Sequence, residues 1–381
     1  MKKTMLAVAL LGAFAGSALA ADVTLYGKID TGLNYQHNTK AGNSTDTLKM
    51  ATGQSAGNRF GLKGTEDLGD GWKVGFILEN GFDADSGALK TYKNEKGGYT
   101  NSKLFGREAS LNVTSDFGKL TFGRTGALSS GLTSTDVVAG FMAFGTGYGD
   151  NTSAMGHFSA GDRTRMDNTV TYQTPRFAGV RVSAQYSFNF NDQEAAGNER
   201  QNKRYAGLGV DYANGPFTAG LVVDTVLNQH GTYTVNNVEK VRSYNTEDSL
   251  GVTLGAAYDF EVAKVFGIAG YGQNENKMGA YSSIDADNKE GVTGYWAQLG
   301  VTAPVAGGKV LASVSYSDVE DEIDSNDTAK AWGVALGYQY SISKRTYAYG
   351  FAGYNQSKAD DGAKTRKTYE TEVGFGLCHN F

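Results

Sequence analysis

The chain has 381 residues, a formal charge of -5, one cysteine, and three prolines against 52 glycines. The acidic balance argues against a nucleic acid partner, since phosphate binding wants a basic footprint, and a lone Cys378 cannot form an intrachain disulfide. With a mean hydropathy of -0.38 and no long apolar run after the N-terminal segment, any membrane crossing has to be made of strands.

In chain order, Lys2 and Lys3, the apolar run 5–14 and Ala18-Leu19-Ala20 have the charged, apolar and small-residue order of a secretory leader. That run falls short of the about 20 apolar residues a spanning helix needs. Residues 1–20 are therefore expected to be removed, and taking away Lys2 and Lys3 moves the formal charge from -5 to -7. Length alone suggests about two domains, but no Pro-rich, Ser-rich or single-charge linker interrupts residues 21–381. They are expected to form one domain.

The remaining chain is built from period-2 segments. Val180 to Phe190 read Val-Arg-Val-Ser-Ala-Gln-Tyr-Ser-Phe-Asn-Phe, so an extended strand has an apolar face and a wet face carrying Arg181, Ser183, Gln185, Ser187 and Asn189. Further on, Trp332, Val334, Leu336, Tyr338 and Tyr340 alternate with Gly333, Ala335, Gly337 and Gln339. In the last run Val373, Phe375, Leu377, His379 and Phe381 share one face, and Glu370, Glu372, Gly374, Gly376 and Asn380 share the other. Short turns are predicted at 66–71, 115–118, 174–179, 213–216, 260–263, 304–308 and 343–344. Long loops are predicted at 37–56, 83–102, 125–164, 192–202, 228–247, 275–290, 318–329 and 359–366. These connections join about sixteen strands, the even number of a single-chain barrel, with short turns on the periplasmic side. The expected fold is all-β: a closed antiparallel transmembrane barrel, with aromatics such as Trp72, Phe117, Phe177 and Phe260 at the interface. Closure requires the first and last strands to pair, because lipid offers no hydrogen bonds.

Several segments carry a family resemblance. They are Val23-Thr-Leu-Tyr-Gly-Lys28, Asn58-Arg-Phe-Gly-Leu-Lys-Gly-Thr-Glu-Asp-Leu-Gly69, Leu104-Phe-Gly-Arg107, Phe117-Gly-Lys-Leu-Thr-Phe-Gly-Arg124, 168–179 and the ending Gly376-Leu-Cys-His-Asn-Phe381. The chain resembles trimeric general diffusion porins of Gram-negative outer membranes, of the neisserial and β-proteobacterial type. Arg176 departs from the family, which often has an acidic residue there. The resemblance implies a homotrimer in outer-membrane lipid and lipopolysaccharide, a water-filled channel for ions and small hydrophilic solutes, and Phe381 as an assembly signal. Transport down a gradient requires no cofactor and no catalytic residue.

In similar porins the third long loop, here 125–164, folds into the barrel and narrows it. Charges of opposite sign facing each other there set selectivity. Phase puts Lys28 and Arg59 on the water face, whereas Arg107 rests on the resemblance alone, since its phase matches Leu111 and Val113. Arg165 matches a family position, and Arg124 and Arg163 lie nearby in sequence. The opposing acids are Asp136 and Asp150, with Asp162 as a further candidate. This set predicts a net basic constriction and an anion preference.

Other motifs carry less. Gly145-Thr-Gly-Tyr-Gly149 lacks the strand–helix context and the lysine of a phosphate loop. His37, His157, His230 and His379 have no metal-ligand spacing, three of them falling in predicted loops. The acidic stretch 318–327 lacks the EF-hand ligand order. The competing readings are a loop-mediated adhesin or receptor, an outer-membrane enzyme, and a substrate-specific sugar channel, which would line its lumen with aromatics.

Overall fold

In the computed structural model the described residues are 23–90, 92–93, 99–100, 103–148, 163–190, 203–227, 232–235, 238–241, 248–275, 278, 291–322 and 326–381. The predicted leader, Asp150, Asp162, His157 and His230 lie outside them. Among the described residues there is no α-helix, and a single 3-10 turn covers Ala139–Phe141.

Seventeen strand segments build the wall. The first eight are β1 (Thr24–Lys40), β2 (Asn43–Thr52), β3 (Arg59–Gly69), β4 (Trp72–Gly81), β5 (Glu108–Ser115), β6 (Gly118–Gly126), β7 (Arg165–Gln173) and β8 (Val180–Ser187). The rest are β9 (Arg204–Asn214), β10 (Phe217–Leu227), β11 (Ser249–Asp259), β12 (Lys264–Glu275), β13 (Val292–Val305), β14 (Gly308–Asp321), β15 (Asp327–Ser341), β16 (Thr346–Asp361) and β17 (Thr365–Asn380). Two short hairpins, Tyr92–Lys93 with Tyr99–Thr100 and Thr232–Val235 with Val238–Val241, stand apart from the wall.

Seventeen segments make sixteen staves, because β2 and β3 share one. β2 pairs with the upper part of β1, from Lys40↔Asn43 to Thr31↔Thr52. β3 takes over below it, from Lys28↔Arg59 to Thr24↔Lys63. Residues 53–58 leave the wall between them. The ring closes through β1 and β17, registered from Lys28↔Asn380 to Lys40↔Thr368, so the sheet has no open edge.

Alternation is visible in the burial. On β9, Leu208 is exposed between buried Gly207 and Gly209, and on β15 Trp332, Val334 and Leu336 are exposed. The outside is the apolar face. Trp72, Phe117, Phe177 and Phe260 are also exposed beside the short turns, where amphipathic or aromatic rings suit a membrane interface.

Three predicted loops are largely strand. The first, 37–56, is a hairpin turning at Ala41 and Gly42, both at positive φ, and it carries His37 inside β1. In the seventh, 318–329, β14 runs to Asp321 and β15 starts at Asp327; in the eighth, 359–366, only 362–364 separate β16 from β17. Their sequence misled because a strand that rises clear of the bilayer meets water on both faces. It keeps its hydrogen bonds but loses the alternation that marks a strand.

Candidate functional site

The apolar core lies inside the barrel, where residues 127–148 cross the lumen wall. Leu128, Val137, Phe141, Phe144 and Tyr148 are buried there together with Val222, Ile268, Trp296 and Phe351 of the wall. Glycines on the water face make room for this crossing. A Cβ on Gly209 or Gly220 would come within 2.9 Å of Val137 or Phe141, and one on Gly255 within 2.3 Å of Phe141. The same holds at Gly300 against Ala143 (2.7 Å) and Gly337 against Phe144 (2.9 Å). The track passes from β9 to β15, so the loop is laid into a groove of missing side chains.

The crossing is fixed at both ends. At its start, Ser134 donates its hydroxyl to Glu108 at 2.6 Å and its N–H at 3.1 Å. The hydroxyls of Ser129 and Tyr205 donate to Asp224 at 2.7 and 3.0 Å. At its far end Tyr148 meets Tyr349 and Phe351 edge-on, with ring centroids 5.7 and 5.9 Å apart. Burial pushes the Tyr148 hydroxyl well above the usual tyrosine range, so it stays neutral. It donates to Gln339 at 3.3 Å.

The structure sorts the sequence-predicted cations into three places. Lys28 and Arg59 are register partners on β1 and β3. Arg107 joins them through Glu79 of β4: its Nε lies 2.5 Å from the carboxylate, and Arg59 lies 3.8 Å from the same oxygen. The Tyr26 hydroxyl donates to Glu79 at 3.0 Å. Arg124 and Arg165 stand instead at the foot of the loop. Arg124 pairs with Asp167 at 2.6 Å and donates to the Gly106 carbonyl at 2.8 Å. Arg165 faces Gly126 in register and reaches the Leu132 carbonyl at 3.5 Å.

Arg163 is elsewhere. It is buried and ion-paired with Asp224 of β10 and, at 2.5 Å, with Glu275 of β12. Burial works against its charge, but the two carboxylates outweigh that and raise its proton affinity. It stands apart from Lys28, Arg59 and Arg107, its charge paired with these two carboxylates at the returning end of the loop. Asp136 accepts the Gly131 N–H at 2.6 Å, which turns its carboxylate back on the loop's own backbone.

Sequence reasoning passed over Glu79, Glu108, Asp224, Glu275 and the glycine track. Glu79 sits in an almost unbroken apolar run, Val74 to Leu78, where alternation is mute. The glycines had a usable signal, since a wall facing only water has no reason to drop side chains strand after strand. Inward aromatics exist as well: Tyr347, Tyr349 and Phe351 are close neighbours on β16. Tyr349 and Phe351 are buried, so this pair forms no open track for a sugar. Cys378 is buried and free.

Comparison with known proteins adds an independent line. A family model described as Gram-negative porin matches residues 7–360. An outer membrane porin protein of Bordetella pertussis is 34% identical, and outer membrane porin protein 32 of Delftia acidovorans 30% identical, each alignment covering 100% of both chains. Among solved structures, the anion-selective porin from Comamonas acidovorans superposes with a TM-score of 0.62 at 25% identity, covering 95% of this chain and 100% of that one.

Proposed function

The chain belongs to the Gram-negative porin family, and on that premise we propose that its lumen is narrowed to an anion-preferring constriction between residues 127–148 and the wall of β1, β3 and β4. As a porin it is a general diffusion channel of the Gram-negative outer membrane, a closed barrel of sixteen staves, and its family and fold are those of a channel rather than an enzyme. The reading carries with it a leader at 1–20, a single barrel domain and a homotrimer in lipid and lipopolysaccharide, passing ions and small hydrophilic solutes.

One observation carries the anion preference. Arg59 and Arg107 meet at Glu79, and Lys28 is the register partner of Arg59, so three cations cluster on one stretch of wall in a chain whose formal charge is -5. Local charge outweighs net charge in a narrow pore, because low-dielectric walls focus the field while salt screens exposed rim charges beyond about 8 Å. The selectivity named for the Comamonas relative runs the same way.

The zero-current potential in a KCl gradient across a planar bilayer tests this. Arg59→Ser should move it toward cation preference. Arg163→Ser, with its charge committed to Asp224 and Glu275, should act on the stability of the loop instead. A potential that does not move in Arg59→Ser removes the wall from the selectivity mechanism.

A further inference from the structure

The six residues between β2 and β3 turn inward as a connected unit, and Asp30 is where they attach. Asp30 is fully buried on the water face of β1. Its carbonyl accepts the Gly53 N–H at 2.8 Å, and its own N–H donates to the Asn58 side chain at 2.5 Å, so its backbone satisfies both ends of the turn. The carboxylate takes four donors. Oδ2 accepts the Ser55 N–H at 2.8 Å, the Ser55 hydroxyl at 2.5 Å and the Ala56 N–H at 2.9 Å, while Oδ1 accepts the Tyr349 hydroxyl at 2.5 Å. A buried carboxylate is tolerated only with such compensation.

The turn touches both halves of the constriction. Its Gln54 carbonyl accepts the N–H of Tyr148, the far end of the crossing loop. Gly147 packs so closely on the Ser55 carbonyl that a Cβ there would stand 2.1 Å away. On its other side the Gly57 carbonyl accepts the Arg59 Nε–H at 2.9 Å, and a Cβ on Gly57 would lie 3.2 Å from the Arg107 guanidinium.

We propose that residues 53–58 are a clasp, keyed on Asp30, that holds the end of the crossing loop against the wall and aims Arg59, so that one device sets both aperture and charge. Asp30 is a positioning residue in this scheme. Its four donors are neutral, so they orient the carboxylate without cancelling its charge. The proposal rests on the constriction reading given above, and the two can fail separately.

The test is single-channel recording of the full chain in planar bilayers, restricted to protein shown to be folded by retention of the barrel in detergent before heating. In Asp30→Asn an amide N–H2 replaces one acceptor oxygen and confronts the donors. Conductance should rise by roughly 1.5-fold with added open-channel noise as the aperture loosens; these are the readouts, because the lost carboxylate charge and the lost tether of Arg59 act on the zero-current potential in opposite senses. Tyr148→Ala, which removes the ring seated on Tyr349 and Phe351, should widen the channel comparably. The double variant should do little more than either single one, because both free the same end of the crossing loop. An additive double variant overturns the clasp. So does wild-type current in Asp30→Asn when Tyr148→Ala is altered, a result that leaves the constriction standing. Wild-type current in both variants removes the constriction and the clasp with it. If Asp30→Asn does not fold, Ser55→Ala should show a smaller change of the same sign, and unchanged noise and conductance there count against the proposal.

Discussion

In the proposed constriction, Glu79 is the residue that offsets the charge of the basic wall. It is the carboxylate at which Arg59 and Arg107 meet. Glu79→Gln removes the compensating charge and nearly nothing of its volume, so the zero-current potential should move further toward anion preference, opposite in sign to Arg59→Ser. A shift in the cation direction would mean that Glu79 acts chiefly by holding Arg107 in place, since an ion pair orients as well as neutralises. This residue was hidden in the sequence, whereas Lys28 and Arg59 were legible because each sits in a strand with a clear phase. Arg107 shows where phase stops working. Pairing of β5 with β4 begins only at Glu108↔Glu79, and the bend through 104–107 ahead of it resets the direction of the side chain. Phase gives no reading of Arg124 for a related reason: the register shifts between Gly123 and Thr125, and alternation does not survive a bulge.

Among the elements, the crossing loop depends on glycines that the wall contributes. Gly255 is the tightest of them against a loop side chain, its would-be Cβ 2.3 Å from Phe141. Gly255→Ala should push the loop off the wall and toward the pore axis, at a cost of about 1–3 kcal/mol for overpacking. The barrel, held by backbone pairing on both sides of β11, should still fold. Single-channel conductance should therefore fall, and Phe141→Leu in the same chain should restore part of it. A conductance unchanged by Gly255→Ala would show that the loop yields elsewhere without narrowing the path. The strands themselves were readable from period 2 wherever one face meets lipid and the other water, and all seven short turns lie between the strands expected. The strand ends opposite the short turns were not readable, because β1, β2 and β14 to β17 extend beyond the contrast between lipid and water that writes the pattern. The inward turn at 53–58 was illegible for the opposite reason. It interrupts a single stave, and a six-residue gap between two alternating runs reads as an ordinary loop.

For the molecule as a whole, closure is the event that commits the chain, and Phe381 takes part in it directly. Its N–H donates to the Gly27 carbonyl and its carbonyl accepts the Gly27 N–H, both at 3.1 Å, so it adds one more pair below Lys28↔Asn380. Its ring lies over Gly27, whose Cβ would come within 2.2 Å of it. The absence of a side chain on the first strand is what seats this aromatic on the outer face. Until β1 and β17 meet, each offers a row of unpaired N–H and C=O groups that hydrocarbon cannot satisfy, at several kcal/mol apiece. A contact that aligns the two edges thus acts on assembly far more than on the pore, from which the ring points away. Phe381→Ala should lower the yield of folded barrel in the outer membrane, and the molecules that do fold should conduct with wild-type amplitude and selectivity. Gly27→Val, which fills the seat of the ring and leaves the aromatic in place, should lower the yield in the same way. Quantifying heat-modifiable barrel in outer-membrane fractions, beside single-channel amplitudes, separates the two effects. Full yield in both variants would place the alignment of the edges in the backbone register alone, and altered amplitude would place the ring's influence inside the channel.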